Sequence, residues 1–453
     1  MIRRPPRSTL DRSSAASDVY KRQTSSSFSD KEIAELFSDV GEIDALVLFE
    51  RELARVQESL QIIPEGIGKE IYAVLENAKF DPELLATGFE NDGIPIPALL
   101  KQLREQLEPA AANYLHFGAT SQDVIDTALI IRIKSAVEII GKNLKGLTAE
   151  LGRLAQKHKT TVMIGRTRNQ SASPTVFALK IVNWLAPLKR QQQRLNELLP
   201  RLLVVQFGGA AGTNAALGNK GGEVNSALAA ALELATANSS WHAQRDTIVE
   251  FSNWLSMTAG QIGKMAQDIL LMAQNEVGEI RFSGAGKSST MPNKFNPILP
   301  ETLLSLASYC RSQSDLMEST LVASHERDGV CMSLDRLAFP PLICAAAASI
   351  TQAIKCLASM SVNEEAMSRN LITDNGLIMA EAAVFELVKS MKRSKASALV
   401  RQACELSLTN NSHMIDELQS LSDVNLNWDE LKKPKNYLGN AEEVIDSVLQ
   451  INS

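Results

Sequence analysis

A heptad seam in the middle of the chain restricts the fold more than any other feature. Phe251, Leu255, Thr258, Ile262, Met265, Ile269 and Met272 recur at alternating spacings of four and three over 22 residues, a period that stripes one face of a long helix. Such a stripe is stable only when buried against other helices, so it predicts a bundle core. Similar long apolar-periodic stretches occupy about 122–160, 174–206, 298–324 and 339–360, separated by short Gly- or Pro-containing breaks. A bundle of about five long helices is the economical reading, and no sheet is required. Composition agrees: 45% of residues are hydrophobic but only 5% aromatic, and abundant Ala and Leu suit close-packed helices better than sheets. The expected class is all-α.

At 453 residues the chain exceeds a single compact core, so two or three units are expected. Residues 1–27 read as a disordered or non-native leader, rich in Arg, Ser and Pro and without amphipathic period up to the run Ser25-Ser26-Ser27. They resemble translated sequencing-adaptor sequence more than a transit peptide, which would rarely carry Asp11, Asp18 and Pro5-Pro6. From Ser29 an acidic start at Asp30 and Glu32 leads into Ile33, Leu36, Phe37, Ile43, Leu46, Phe49 and Leu53, a helical pattern. It opens an N-terminal helical domain over 28–112; the bundle takes 113–365, and shorter helices form a C-terminal domain over 366–453.

The formal charge of −6 is uneven, because residues 1–23 hold six Arg/Lys against two Asp and leave 40 basic and 50 acidic residues for the remainder. A body that acidic is a poor nucleic-acid binder. Cys310, Cys331, Cys344, Cys356 and Cys404 lie in apolar stretches with no CxxC pair or His-rich spacing, which implies a reducing cytoplasm and no metal site. No apolar run approaches the roughly 20 residues needed to span a bilayer, and the N-terminus lacks an apolar secretory region. A cytoplasmic protein with no membrane partner is expected.

Residues 278–297, GEIRFSGAGKSSTMPNKFNP, read as a mobile loop by composition. Gly286-Lys287-Ser288 invites a phosphate-loop reading, but that motif needs glycine at position 281, where Arg281 stands, and no hydrophobic strand precedes it. A better chemistry is proton abstraction by a serine oxyanion at Ser288, basic enough to remove a proton α to a carboxylate only if neighbouring cations and amides depress its pKa. Lys294 and Asn296 are placed to supply them. Three further segments bear on a site. His116-Phe117-Gly118-Ala119-Thr120-Ser121-Gln122-Asp123 precedes a long helix, either as an anion-binding N-terminus or as plain capping. Gly165-Arg166-Thr167-Arg168-Asn169-Gln170 is a polar, doubly cationic break, and Gln206-Phe207-Gly208-Gly209-Ala210-Ala211-Gly212-Thr213 a glycine-rich one. His158, His242 and His413 read as solvated or core residues; His116 and His325, inside motifs, as shaping the site or structural.

Together the four segments, in this order on a helical chain, resemble the fumarase/aspartase superfamily from about residue 28 to the end, with SSTMPNKFNP matching its signature loop. The resemblance implies an all-α, three-domain fold with a long central five-helix bundle, and a homotetramer whose active sites are shared between subunits. It implies Ser288 as general base beside Lys294 and Asn296, with Thr120, Ser121, Thr167 and Gln206 lining the substrate site. HFGATSQDVIDTA, QFGGAAGTNAALGNKGGEV, HERDG and GLIMAEAAVFEL are most similar to the branch of bacterial 3-carboxy-cis,cis-muconate cycloisomerases and adenylosuccinate-lyase-like relatives. This implies a cofactor-free addition of a carboxylate across a muconate double bond to give a lactone.

Three departures shape the chemistry. Arg168 stands where many superfamily lyases carry a histidine after Gly-Arg-Thr; a departing amine needs a proton donor, whereas a carboxylate with pKa about 4 leaves as an anion. Arg336, nine residues after Arg327, has a spacing more like adenylosuccinate lyase. Lys287 replaces the glycine usual before the first loop serine. Arg168, Arg327, Arg336 and Lys294 offer up to four cations for a small polycarboxylate. The alternatives are a β-elimination lyase releasing fumarate from a succinyl-type substrate, as in nitrosuccinate or adenylosuccinate lyases, and a helical scaffold without catalysis.

Overall fold

The computed structural model describes residues 27–282, 291 and 294–451, so Ser288 and Lys287 lie outside the described residues. Five long helices dominate: Ser121–Lys157, Phe177–Leu202, Asp246–Met272, Ile298–Glu318 and Gly329–Ser359. The architecture is the all-α one expected. All seven seam residues of the Asp246–Met272 helix are at most 3% exposed, and burying an apolar side chain of that size is worth about 1.5–3 kcal/mol.

The chain divides into two compact units. The first gathers Met1–Asn143, Gln193–Gly260 and Leu306–Thr351. Here Asp30 caps Lys31–Leu36 through the Glu32 and Ile33 amides, and Ser38 caps Asp39–Ser59 through Gly41, the N-cap chemistry those side chains favour. Its core joins Leu46, Phe49, Leu53, Ile71, Leu99 and Leu103 of the N-terminal helices to Val124, Phe207, Leu217 and Val224, so the N-terminal helices pack under the two glycine-bearing motifs. Phe251 stacks on Trp254 at 5.7 Å and meets Phe339 edge-on at 6.0 Å, tying two of the long helices.

The second unit gathers Leu144–Gln192, Gln261–Ser305 and Gln352–Ser453. Ile164, Ile378, Ala383, Leu387, Val400, Met414 and Leu418 form its core. Trp184 donates its indole N–H to Asp268 at 2.7 Å, and Gln192 donates to Thr148 at 3.1 Å. Lys189 donates to the carbonyls of Val448, Leu449 and Ile451, capping the end of the Ala441–Gln450 helix where the macrodipole is negative.

Three details depart from the sequence expectations. Short two-stranded ladders are present: β1 (Val162–Thr167) with β2 (Gln170–Val176) antiparallel, Val204–Val205 with Ala235–Thr236 parallel, and Ile280–Phe282 with Met360–Val362 antiparallel. The Gly329–Ser359 helix starts well before residue 339 and reads through Pro340 and Pro341, although proline removes a helical hydrogen bond; its packed apolar face outweighs that loss. This helix is also long and apolar enough to cross a membrane by length and composition, contrary to the expectation of no such run. Yet 67% of its most apolar window is buried inside the protein, with Ala338, Phe339, Leu342, Ile343 and Ala346 in the core, so here it serves as a core helix.

Candidate active site

In the first unit the site is organised around a carboxylate that the sequence reading passed over. Asp123, in the first turn of the Ser121–Lys157 helix, is fully buried. Its Oδ2 accepts from the amides of Thr120 (3.0 Å) and Gly209 (2.9 Å), and its Oδ1 from the amide of Gly208 (2.9 Å), Gln206 Nε2 (3.2 Å) and His242 Nε2 (2.8 Å). The bond back to the Thr120 amide is the return half of a capping box, with Asp in the usual Glu position. The other four pin the glycine loop and His242 against the helix N-terminus. Five donors on one buried carboxylate are what offset its desolvation.

Glycine is required where the two motifs touch. Gly118 has φ +75 and a Cβ there would meet Leu217 Cδ2 at 2.9 Å; Gly209 has φ +66 and its Cβ would lie 3.3 Å from the Gly118 carbonyl. Neither conformation suits an L side chain.

Gln206 is fully buried with its amide consumed internally: Nε2 donates to Asp123 and to Ser240 Oγ (2.9 Å), and Oε1 accepts from the Trp241 amide (2.6 Å). His242 Nε2 faces the acceptor-only Asp123 carboxylate and so carries a proton, while the Ser240 hydroxyl, which accepts from Gln206, lies 3.1 Å from Nδ1. Reading His242 as a core residue was sound, but its partner lies 119 residues away.

Thr120 keeps its hydroxyl free of capping and accepts from Arg327 Nη1 at 2.6 Å. The exposed Arg327 thus stands beside the helix N-terminus at Ser121, joining a cation to a positive dipole end. His116 has φ +66 and its Nδ1 lies 2.6 Å from Glu50 Oε1. Burial alone would lower its pKa, but the Glu50 charge and hydrogen bond more than offset that and raise it. Arg336 is held apart from this group, its fork bidentate on Glu42 at 2.9 and 2.7 Å and its guanidinium over Phe89 at 5.0 Å.

Below this network lies a second buried one. Arg245 bridges Asp126 (3.1 Å) and Asp335. Two carboxylates share one guanidinium, and burial pushes the Asp335 carboxyl up to about 6.

In the second unit the cationic break is the tip of the β1–β2 hairpin. Arg168 (φ +50) and Asn169 (φ +63) form a two-residue turn with both φ positive, the type I′ geometry that follows strand twist. Thr167 and Arg168 are exposed there. Arg166 instead anchors the hairpin, bidentate on the fully buried Glu279 at 2.9 and 2.8 Å, with Asn370 Nδ2 also on Glu279 at 2.9 Å. Lys294 is exposed and Asn296 half-buried.

The first unit therefore brings Thr120, Gln206 and Arg327 into one network, with Ser121 next to Thr120 at the start of the helix, and leaves Arg336 paired elsewhere. The second presents Thr167 and Arg168 on a turn.

A cation beside a helix N-terminus, with glycine loops and buried polar side chains locked beneath, suits the binding of a small anion. The chain belongs to the fumarase/aspartase superfamily: the family model described as Lyase matches residues 11–310, and that described as Adenylosuccinate lyase C-terminus matches 376–448. Enzymes of this superfamily act generally on small polycarboxylates.

The chain is 33% identical to the 3-carboxy-cis,cis-muconate cycloisomerase of Acinetobacter baylyi, over 93% of this chain and 97% of the relative. It is 35% identical to the enzyme of the same name from Pseudomonas aeruginosa, over 91% and 93%. The crystal structure of beta-carboxy-cis,cis-muconate cycloisomerase from Acinetobacter calcoaceticus matches with a TM-score of 0.89 at 32% identity, covering 95% of this chain and 100% of that one.

Proposed function

We propose that this protein interconverts 3-carboxy-cis,cis-muconate and a carboxymuconolactone, a cycloisomerase step of aromatic catabolism. The observation that carries this reading is near full-length similarity, in sequence and in fold, to enzymes of that name. Arg168 at the hairpin tip supports it, since a carboxylate leaving group needs no proton donor at that position.

In the lactone-opening direction the Ser288 oxyanion removes the proton α to a carboxylate, the electron pair forms the double bond, and the ring C–O bond breaks with its electrons on the departing carboxylate. In the closing direction the carboxylate adds to the alkene and the Ser288 hydroxyl returns the proton. Lys294 and Asn296 stabilise the serine oxyanion, while Arg327 and Arg168 hold substrate carboxylates, Thr120, Ser121 and Thr167 lend hydroxyls, and Gln206 fixes the wall. Arg336 contributes once its fork is released from Glu42. The chemistry calls for no cofactor. We further assign the domains to 28–112, 113–365 and 366–453 after a leader over 1–27, and the working form to a cytoplasmic homotetramer with shared sites.

The second reading, a β-elimination lyase on a succinyl-type substrate, is favoured by Arg336 and by lyases among the relatives, such as an adenylosuccinate lyase at 33% identity. An ultraviolet assay of purified protein lacking residues 1–23 separates the two. Turnover of 3-carboxymuconate supports the first; its absence, with fumarate appearing from a succinyl compound, supports the second.

A further inference from the structure

Arg336 borders three cavities of the first unit. One of them, about 180 Å³, is walled by Ile125, Leu129, Met332 and Pro340 and carries Arg132 opposite the Glu42–Arg336 pair. The charges there are unequal in their partners. Glu42 occupies both terminal nitrogens of Arg336, and Asp126 and Asp335 are tied to Arg245. Arg132 is only 8% exposed, donates from Nε to the Ala128 carbonyl at 3.2 Å, lies over the Phe37 ring at 5.3 Å, and makes no ion pair among the described residues. Burial depresses its pKa, Glu42 acts against that, and Arg336 adds to it, so the three groups feel one another. A buried guanidinium with no anion of its own is costly unless one arrives.

We propose that this cavity is a carboxylate site in which Arg132 and Arg336 together hold one arm of a polycarboxylate, with Glu42 filling the Arg336 fork until that arm displaces it. This rests on the polycarboxylate class assigned above and deepens it by naming Arg132 as the recognising residue and Glu42 as the selectivity element. The planar forks match a carboxylate bidentately. The apolar walls take a short methylene or vinyl arm, since about 180 Å³ falls below the roughly 300 Å³ at which ordinary ligand pockets begin. Glu42 already neutralises Arg336, and the exposed Asp39 also lines the cavity, so the two guanidiniums suit one carboxylate rather than a more highly charged group.

The test is isothermal titration of the full-length protein with propane-1,2,3-tricarboxylate, which has no double bond to react. Arg132→Gln should weaken binding by about tenfold or more, the loss expected for a charged hydrogen-bonding partner. Glu42→Gln should tighten it, and Arg132→Lys, which keeps the charge without the fork, should fall between wild type and Arg132→Gln. A generally damaged fold would weaken all of them, so the opposite sign of Glu42→Gln is diagnostic. Absence of binding at millimolar tricarboxylate, unchanged affinity in Arg132→Gln, or weaker affinity in Glu42→Gln overturns the proposal. Should the protein fail to turn over carboxymuconate yet show these opposite shifts, the cavity assignment stands and the substrate assignment falls; turnover with an unmoved Arg132→Gln affinity gives the converse.

Discussion

Replacing Asp123 by Asn preserves shape but inverts one end of the side chain. The Oδ2 position accepts from the Thr120 and Gly209 amides, and Oδ1 from the Gly208 amide, Gln206 and His242. Whichever way the new amide turns, its NH2 faces at least two N–H donors that lose their acceptor in a site with no access to water. Each buried donor left unmade costs about 1–3 kcal/mol, so Asp123→Asn should cost about 2–6 kcal/mol. The cost should be local to residues 116–121 and 206–213, because those are the segments that Asp123 ties together. Hydrogen exchange followed by mass spectrometry reads this directly: at about 1.4 kcal/mol per tenfold, protection of peptides covering both segments should drop by roughly 30-fold or more. Peptides from the Met414–Leu421 helix, in the other unit, should exchange as before. Protection within threefold of wild type in both segments would refute the claim that Asp123 holds the loops together.

Other consequences can be checked separately. Ser288→Ala should lower turnover by at least about a thousandfold whichever substrate is correct, and undiminished activity would remove Ser288 as the base. Arg166→Met leaves the fully buried Glu279 with Asn370 as a hydrogen-bond partner but without its ion pair, which should cost about 3–5 kcal/mol; a thermal midpoint within a degree of wild type contradicts that. Asp335, raised by burial from 3.8 to about 6, binds its proton more tightly folded than unfolded. Its contribution is therefore complete below about pH 4 and is lost as pH rises through 6, a loss of about 3 kcal/mol. Denaturant titrations of Asp335→Asn should show a flatter dependence between pH 4 and 6 than wild type, and parallel curves would count against the assignment. His116, raised by Glu50 against the effect of burial, should titrate at lower pH in Glu50→Gln when followed by NMR; an unmoved or higher titration would dismiss Glu50 as the cause.

Several elements are legible in the sequence alone. The 251–272 seam, the helix start at Asp30 and the presence of the Phe177–Leu202 and Ile298–Glu318 helices follow from local periodicity and acidic start signals. The β1–β2 hairpin was not, because its turn uses Arg168 and Asn169 at positive φ where a glycine would have announced it. The passage of Gly329–Ser359 through two prolines was hidden for a related reason: local propensity argued for a break, and only tertiary packing overrides it. Of the site, the segments that carry it could be picked out by residue type. Asp123 and His242 could not be paired, since 119 residues separate them.

What the chain determines by itself is therefore periodic and chemical: which stretches are helical, which face is apolar, and where cations, hydroxyls and glycines are available. The tertiary structure decides which of those groups are already spent. Arg336 and Glu42 are 294 residues apart and Arg166 and Glu279 are 113, yet each arginine is committed to its carboxylate, while Arg132 keeps a buried charge without an ion pair among the described residues. Charge pairing depends on distance through space and on exclusion of water, and neither quantity is written in the order of residues along the chain.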